Sequence, residues 1–440
     1  MNDSVNSLHP PAITTIELLH PQQKKISKKK VKSNHKKIKI KQYIIFICFI
    51  FLGFINHLGY YLIITSSQQF ATKLGNESLI ACYPLALIIF SSLSRLINSK
   101  YFINISYYIR VICLSLYFFL GYITLFFILQ NSNIRKNNNF AFWLTMIPTT
   151  IIGTGESLGE VTILGYIGTF RGNYISGWNI GAALAGVCGS LLSLLFKRLN
   201  TNLTYVYLFL SPVPVLFLFI FMFINCFGSK EKKSNSQKKK YYKAFEKKIE
   251  INNKNITNNK ILNCKNFKEG AVLSKKYIIN LALINYLQYT ICYCFCERTN
   301  KFKFINSKGT IFDSAQYETL LFFYQIGVVI SNSSLFLIKH IKNLEIFTYF
   351  QLINFFLWYF ESLLGYIKNQ YICFLHLFFV GFCGGGASIG LLDNMFNSKN
   401  IIERFQELCL NICEFFMDWG ILLSSLTSII FDNTFLKAYR

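Results

Sequence analysis

Charge is scarce in this sequence, and acid scarcer still: 15% of its 440 residues are charged, with 20 Asp and Glu against 45 Lys and Arg. A water-soluble domain needs a more polar surface than that. With 52% hydrophobic and 17% aromatic residues, lipid must be the solvent for much of the chain. Paired cysteine spacings are also missing, which excludes a disulfide scaffold or a zinc ribbon; the thirteen cysteines are scattered, mostly inside apolar runs, and read as small buried residues. Cys292, Cys294 and Cys296 come nearest to a motif, but residues two apart on a helix point to nearly opposite faces and cannot converge on one ion. A phosphate-cradling loop would need a strand before the glycines and Lys-Ser/Thr after them, and neither is present. No Ser-His-Asp or His-Glu-x-x-His arrangement falls in an apolar run. The expectation is therefore no enzyme, no cofactor and no metal. A cleavable leader is not expected either, because the first apolar run follows about forty polar and basic residues and is itself long enough to span.

What the sequence has is apolar runs. A bilayer crossing takes about twenty mostly apolar residues, and runs of that kind lie near 43–64, 79–97, 110–129, 140–163, 174–196, 203–227, 277–297, 317–338, 344–365, 371–392 and 406–431. The fold class expected is an all-α integral membrane protein of about eleven transmembrane helices. The formal charge of +25 is crowded into two lysine-rich blocks, roughly 24–41 and 230–276, rather than spread over a folded surface, so nucleic acid is not the expected partner. Six spans separate the blocks, which places both on one side, the cytoplasmic side by the positive-inside rule. The last residues, Lys437 to Arg440, then fall on the opposite side, as does the Asn202 glycosylation sequon. The organisation expected is a disordered basic tail (1–42), a six-helix half (43–227), a disordered lysine-rich cytoplasmic loop (228–276) and a five-helix half (277–440). Two helical halves joined by such a loop resemble transporters with a central cavity. The loop can adhere to anionic lipid or recruit cytoplasmic protein partners.

An ionisable group at mid-membrane costs at least ~2.5–3.5 kcal/mol and is a functional candidate for that reason. Glu156 and Glu160 are four apart and share a helix face; both are candidates for proton coupling, since a carboxylate in a partly dry cavity can exchange a proton near neutral pH. Gly155 and Gly159 beside them, with Gly181 and Gly385 in two glycine-rich spans, read as packing seams or hinges. Arg95, Arg110 and Arg171 either hold an anionic substrate or obey the positive-inside rule. His57 and His376 are possible proton carriers, and Glu414 and Asp418 share a face of the last span. Asn56, His57, Trp178, Gln288, Tyr324, Gln325 and Asp418 are expected to line the substrate cavity.

At Ser157-Leu158-Gly159-Glu160-Val161-Thr162, then Ile175-Ser176-Gly177-Trp178 and a run of small residues to Gly189-Ser190, the chain resembles the battenin family. Tyr324-Gln325-Ile326-Gly327-Val328, Ser331 to Leu335, Gly384 to Ala387, and Asp418-Trp419-Gly420-Ile421 with Ser424 resemble that family's later signatures in the same order, so the likeness covers most of 43–431. It implies a lysosomal or vacuolar multi-pass protein of major-facilitator-like two-half architecture. It also implies export of a small polar solute, a basic amino acid or a glycerophosphodiester, and a link to organelle pH. Glu160 and Asp418 fall on acidic positions of the family. Gln288 stands where relatives have a glutamate and Asn332 where they have an arginine, which would fit the joint loss of an internal pair and leaves identical substrate choice open. The rival expectation is a non-transporting scaffold that regulates trafficking or a proton pump through the lysine-rich loop.

Overall fold

The protein is described here from a computed structural model, which covers residues 21–102, 105–131, 137–170, 174–199, 204–228, 264–299, 316–334, 345–396, 398 and 403–434. The bulk of the lysine-rich loop (229–263), the Asn202 sequon, Arg171 and Lys437 to Arg440 lie outside the described residues. The chain divides between Phe46 and Ile47 into two units. The first contains the basic segment and the start of α1 (Pro21–Lys73), so this helix already begins inside the stretch read as a tail.

Every regular element among the described residues is helical, as a chain solvated by lipid requires, because only helices satisfy their own backbone groups without a sheet edge. After α1 come the half-length helices α2 (Cys82–Ile88) and α3 (Ser91–Ile97), then α4 (Tyr107–Gln130), α5 (Asn138–Ile167), α6 (Ile175–Arg198), and the paired α7 (Thr204–Leu210) and α8 (Val213–Phe227). The remaining helices are α9 (Cys264–Thr290), α10 (Cys296–Thr299), α11 (Gln316–Ser333), α12 (Glu345–Leu364), α13 (Gln370–Phe396) and α14 (Glu403–Asn433). A π-helical turn, Ile291–Phe295, joins α9 to α10 and carries the buried Cys292 and Cys294.

Eight stretches are long and apolar enough to cross a membrane: Lys39–Lys73, Glu77–Arg95, Tyr107–Gln130, Ile175–Arg198, Thr204–Phe227, Lys268–Thr299, Gln370–Met395 and Leu408–Asn433. The other three expected spans coincide with α5, α11 and α12, which are helices but too polar to qualify. The reason lies inside the bundle. Glu156 of α5, Glu318 and Gln325 of α11, and Gln351, Asn354 and Glu361 of α12 are all buried. The outside carries the complementary pattern, with Phe127, Phe209 and Leu375 at 62%, 74% and 68% exposure. Apolar surface outward and polar groups inward is the distribution that a bilayer imposes.

Glycines set how closely the helices approach. A Cβ on Gly53 of α1 would collide with the Trp178 carbonyl of α6, and one on Gly181 of α6 with the Ile50 carbonyl of α1, so the two helices pack backbone against backbone. α11 and α13 repeat the device: Gly327 faces the Phe378 carbonyl and Gly381 the Tyr324 carbonyl. The helices before and after the lysine-rich loop meet along two lines, α6 against α11, and α2 and α3 against α14. This is a two-half helical bundle, with a cavity between the lines of contact.

Candidate functional site

A cavity of about 160 Å³ opens at the centre, lined by side chains from α1, α3, α5, α6, α9, α11, α13 and α14. It is smaller than the ~300–1,000 Å³ typical of drug-sized ligand sites. One wall is a chain of charged groups. His57 of α1 points its Nε2 at Glu156 Oε1 of α5, 3.0 Å away, with Glu160 Oε1 at 4.0 Å. Glu160 Oε2 accepts from Arg95 Nη2 at 2.9 Å, and Arg95 Nε donates to Asp418 Oδ2 of α14, also at 2.9 Å. Glu414 Oε2 lies 3.8 Å from Arg95 Nη1. Four helices that are distant in sequence thus join into one network.

The His57 ring reveals a proton. Its Nδ1 is 2.8 Å from the Gly53 carbonyl, one turn back on α1, an oxygen that can only accept; Nδ1 therefore carries hydrogen. The contact between Nε2 and Glu156 Oε1 then needs a hydrogen as well, either on the imidazole or on the carboxyl. Glu160 Oε1 is the next carboxylate oxygen along this chain. Glu160 is also the most exposed of the three, with its side chain at 15% against 9% for Glu156. His57, Glu156 and Glu160 present ligand atoms within 4.8 Å of one another, a spacing that could hold a cation. The positive charge bonded to this cluster is the Arg95 guanidinium.

The rest of the lining is neutral or aromatic: Gln288 and Tyr289 of α9, Tyr324, Gln325 and Asn332 of α11, Gly384, Gly385 and Ser388 of α13, and Tyr60 and Tyr61 of α1. Asn285 Nδ2 donates to the Leu281 carbonyl and its Oδ1 accepts from Gln288 Nε2, at 2.8 Å each. That sequence fixes the amide of Gln288 with its Oε1 left over, buried and without a hydrogen-bond partner.

Five of the seven residues expected in the cavity line it: His57, Gln288, Tyr324, Gln325 and Asp418. Asn56 and Trp178 do not. Asn56 is fully buried and donates through Nδ2 to the Glu156 carbonyl, which ties α1 to α5; a Cβ on Gly159 would strike its Oδ1. Trp178, also fully buried, sets its ring against His57 at 5.4 Å and 67° and holds the imidazole from behind. Glu156 and Glu160 both face the cavity, whereas Gly155 packs against Phe118. Gly181 sits in the α1–α6 seam, and Gly385 lines the cavity beside Ser331 and Asn332.

Arg95 is 2% exposed and held by carboxylates, so its role is neither topological nor that of an available anion site. Arg110 is buried too, over the Tyr107 ring at 4.4 Å and 3.4 Å from Asn98 Oδ1. His376 stands apart from the cavity, stacked on Trp358 and 3.2 Å from Asn354 Oδ1. Sequence reasoning passed over a second ionic contact. Lys197 Nζ of α6 lies 2.8 Å from Glu318 Oε2 of α11, whose other oxygen accepts from Gln69 Nε2 at 3.2 Å. A lysine in the last turn of a span is ordinary, and only the three-dimensional pairing reveals this one.

A family profile described as CLN3 protein matches residues 47–438. A curated relative, Battenin of Dictyostelium discoideum, is 26% identical over 418 residues, covering 89% of this chain and 95% of that protein. Among solved structures, a D-xylose-proton symporter aligns with a TM-score of 0.57 at 12% identity, over 91% of this chain and 92% of the symporter. A POT family transporter in complex with 5-aminolevulinic acid aligns at 0.56 and 13%, over 90% and 91% of the two chains. At such identities the structural likeness speaks for the fold alone.

Proposed function

The chain belongs to the CLN3 protein family, and from that premise we propose that it is a proton-coupled transporter of a small polar solute in a lysosomal or vacuolar membrane. The observation that carries the proposal is the run of buried contacts from His57 Nε2 through Glu156 and Glu160 to Arg95. Protonating Glu160 would weaken its hold on Arg95 and leave the guanidinium to Asp418 and Glu414 on α14. Because α3 and α14 meet across the two helical groups, a proton arriving at Glu160 acts on the contact that must rearrange for alternating access. No metal enters this account. The basic tail and loop are placed on the cytoplasmic side, and export of basic amino acids or glycerophosphodiesters would connect the protein to organelle pH.

The test is efflux of labelled arginine and of a labelled glycerophosphodiester from proteoliposomes, with and without a pH gradient. Gradient-dependent efflux of either solute is expected, and it should survive deletion of residues 230–270. A scaffold acting through the lysine-rich loop would show no efflux of its own and would lose its cellular effect with that deletion.

A further inference from the structure

Away from the central cavity, we propose that the protein holds a soft monovalent metal ion, Cu(I), on three buried sulfur atoms: Cys409 and Cys413 of α14 and Met395 of α13. All three residues are fully buried, none lines the cavity, and neither cysteine is in a disulfide. Cys413 Sγ lies 3.6 Å from Met395 Sδ. Two sulfurs that share one ion sit roughly 3.7–4 Å apart when metal–sulfur bonds are about 2.3 Å long. The small adjustment needed is within the reach of an unbranched methionine.

The third sulfur comes from the helix itself. Cys409 is four residues before Cys413 and shares its face of α14. Its Sγ is 3.7 Å from the Gly270 carbonyl of α9, the same oxygen that accepts from Ser274 Oγ, and Ser274 stands beside both thiols. The two cysteines therefore turn towards one short stretch of α9. Since α9 begins at Cys264, α13 ends at Phe396 and α14 begins at Glu403, the cluster lies at the end of the bundle that adjoins the lysine-rich loop.

The donor set selects the ion. A thiol is a weak donor and a thioether a weak acceptor, so the contact of Cys413 with Met395 does little for the fold, whereas thiolate with thioether suits Cu(I). The chain has only five methionines, so abundance alone does not explain one against this cysteine pair. Zinc draws on Cys, His and carboxylate ligands, and a thioether is not among them. Charge agrees with this choice. Cu(I) takes the place of the Cys413 proton, which leaves to water, and the net charge of the buried site is unchanged; a divalent ion would need both thiols ionised. The sequence gave no expectation of a metal because Met395 joins the cysteines only through the packing of α13 on α14.

The experiment offers the full chain, reduced and in nanodiscs under nitrogen, Cu(I) as its bathocuproine disulfonate complex. Wild-type protein should withdraw one Cu(I) per chain, and X-ray absorption should show sulfur alone around the copper. Met395→Leu, which nearly conserves volume, and Cys413→Ser should each weaken binding by roughly tenfold or more, since even an outer-shell partner of a metal is worth that much. Cys409→Ser with Cys413→Ser should abolish it, and Cys113→Ser with Cys226→Ser, at exposed positions, should leave it unchanged. The inference is overturned if wild type takes no copper, if the double cysteine variant takes as much, if nitrogen or oxygen surrounds the copper, or if Zn²⁺ displaces it. Melting curves recorded without copper separate loss of the site from loss of the fold, and Met395→Leu decides where a cysteine variant does not fold. Binding is read without solute or gradient, so neither outcome bears on the transport proposal.

Discussion

At the scale of single residues, the centre of the protein is a problem of buried charge that Arg95 resolves. Its guanidinium bonds both Glu160 and Asp418, and it is 2% exposed. Removing one partner of a buried ion pair costs ~3–5 kcal/mol, because the charge left behind has no water to turn to. Arg95→Met is expected to destabilise the folded protein by that order, seen as a lower melting temperature in detergent. The double variant Arg95→Met, Asp418→Asn should recover part of the loss, and a double loss equal to the sum of the two single ones would mean that the pair is not energetically coupled. His57→Phe keeps an aromatic ring against Trp178 but removes both nitrogens. Coupling should be lost with the fold kept, read as solute movement that no longer responds to pH. The acids of this network were legible in the sequence, since a carboxylate inside an apolar run rarely stays without a role. Arg95 was not, because an arginine at a span end satisfies the positive-inside rule just as well. Asn56 and Trp178 show the same limit: helix periodicity says that a residue faces inward, but not whether it meets a cavity or a neighbouring helix.

Between elements, close glycine seams and two ionic contacts set the arrangement. Gly181→Ala would drive a Cβ into the Ile50 carbonyl of α1, and because backbone cannot yield as a side chain can, a loss of about 1–3 kcal/mol is expected. Gly155→Ala meets only the Phe118 and Tyr117 rings, at 3.1 Å or more, so thermal unfolding should rank it milder than Gly181→Ala. The contact of α6 with α11 holds Lys197 against Glu318, a carboxylate with no exposed surface. Lys197→Met should lower stability by ~3–5 kcal/mol, and Lys197→Met combined with Glu318→Leu should restore much of it, as a double-mutant cycle on denaturation midpoints would reveal. Losses that simply add in the double variant would show that the two residues are not coupled. The lysine-rich segments and the long apolar runs announced themselves in the sequence. The three helices α5, α11 and α12 fell short of the apolarity of true spans because their inward faces carry Glu156, Glu318, Gln351 and Glu361, the polar groups that shape the interior.

For the whole molecule, the two-half bundle brings the buried acids Glu160 and Asp418 to the place where the two helical groups touch. Glu160 on α5 is linked through Arg95 on α3 to Asp418 on α14, so the charge state of one carboxyl is felt in both helical groups. The two-half bundle could be anticipated from the division of the spans around the basic loop, whereas the pairing of α6 with α11 and of α3 with α14 could not, since each joins segments far apart in the chain. The central claim is that Glu160 carries the coupling proton, and the measurement that tests it most directly is proton uptake during solute efflux from proteoliposomes, wild type against Glu160→Gln. The account predicts stoichiometric proton movement with the wild-type protein and, with the variant, neither proton movement nor a response to an imposed pH gradient. Unchanged proton-driven transport by a folded Glu160→Gln protein would contradict it.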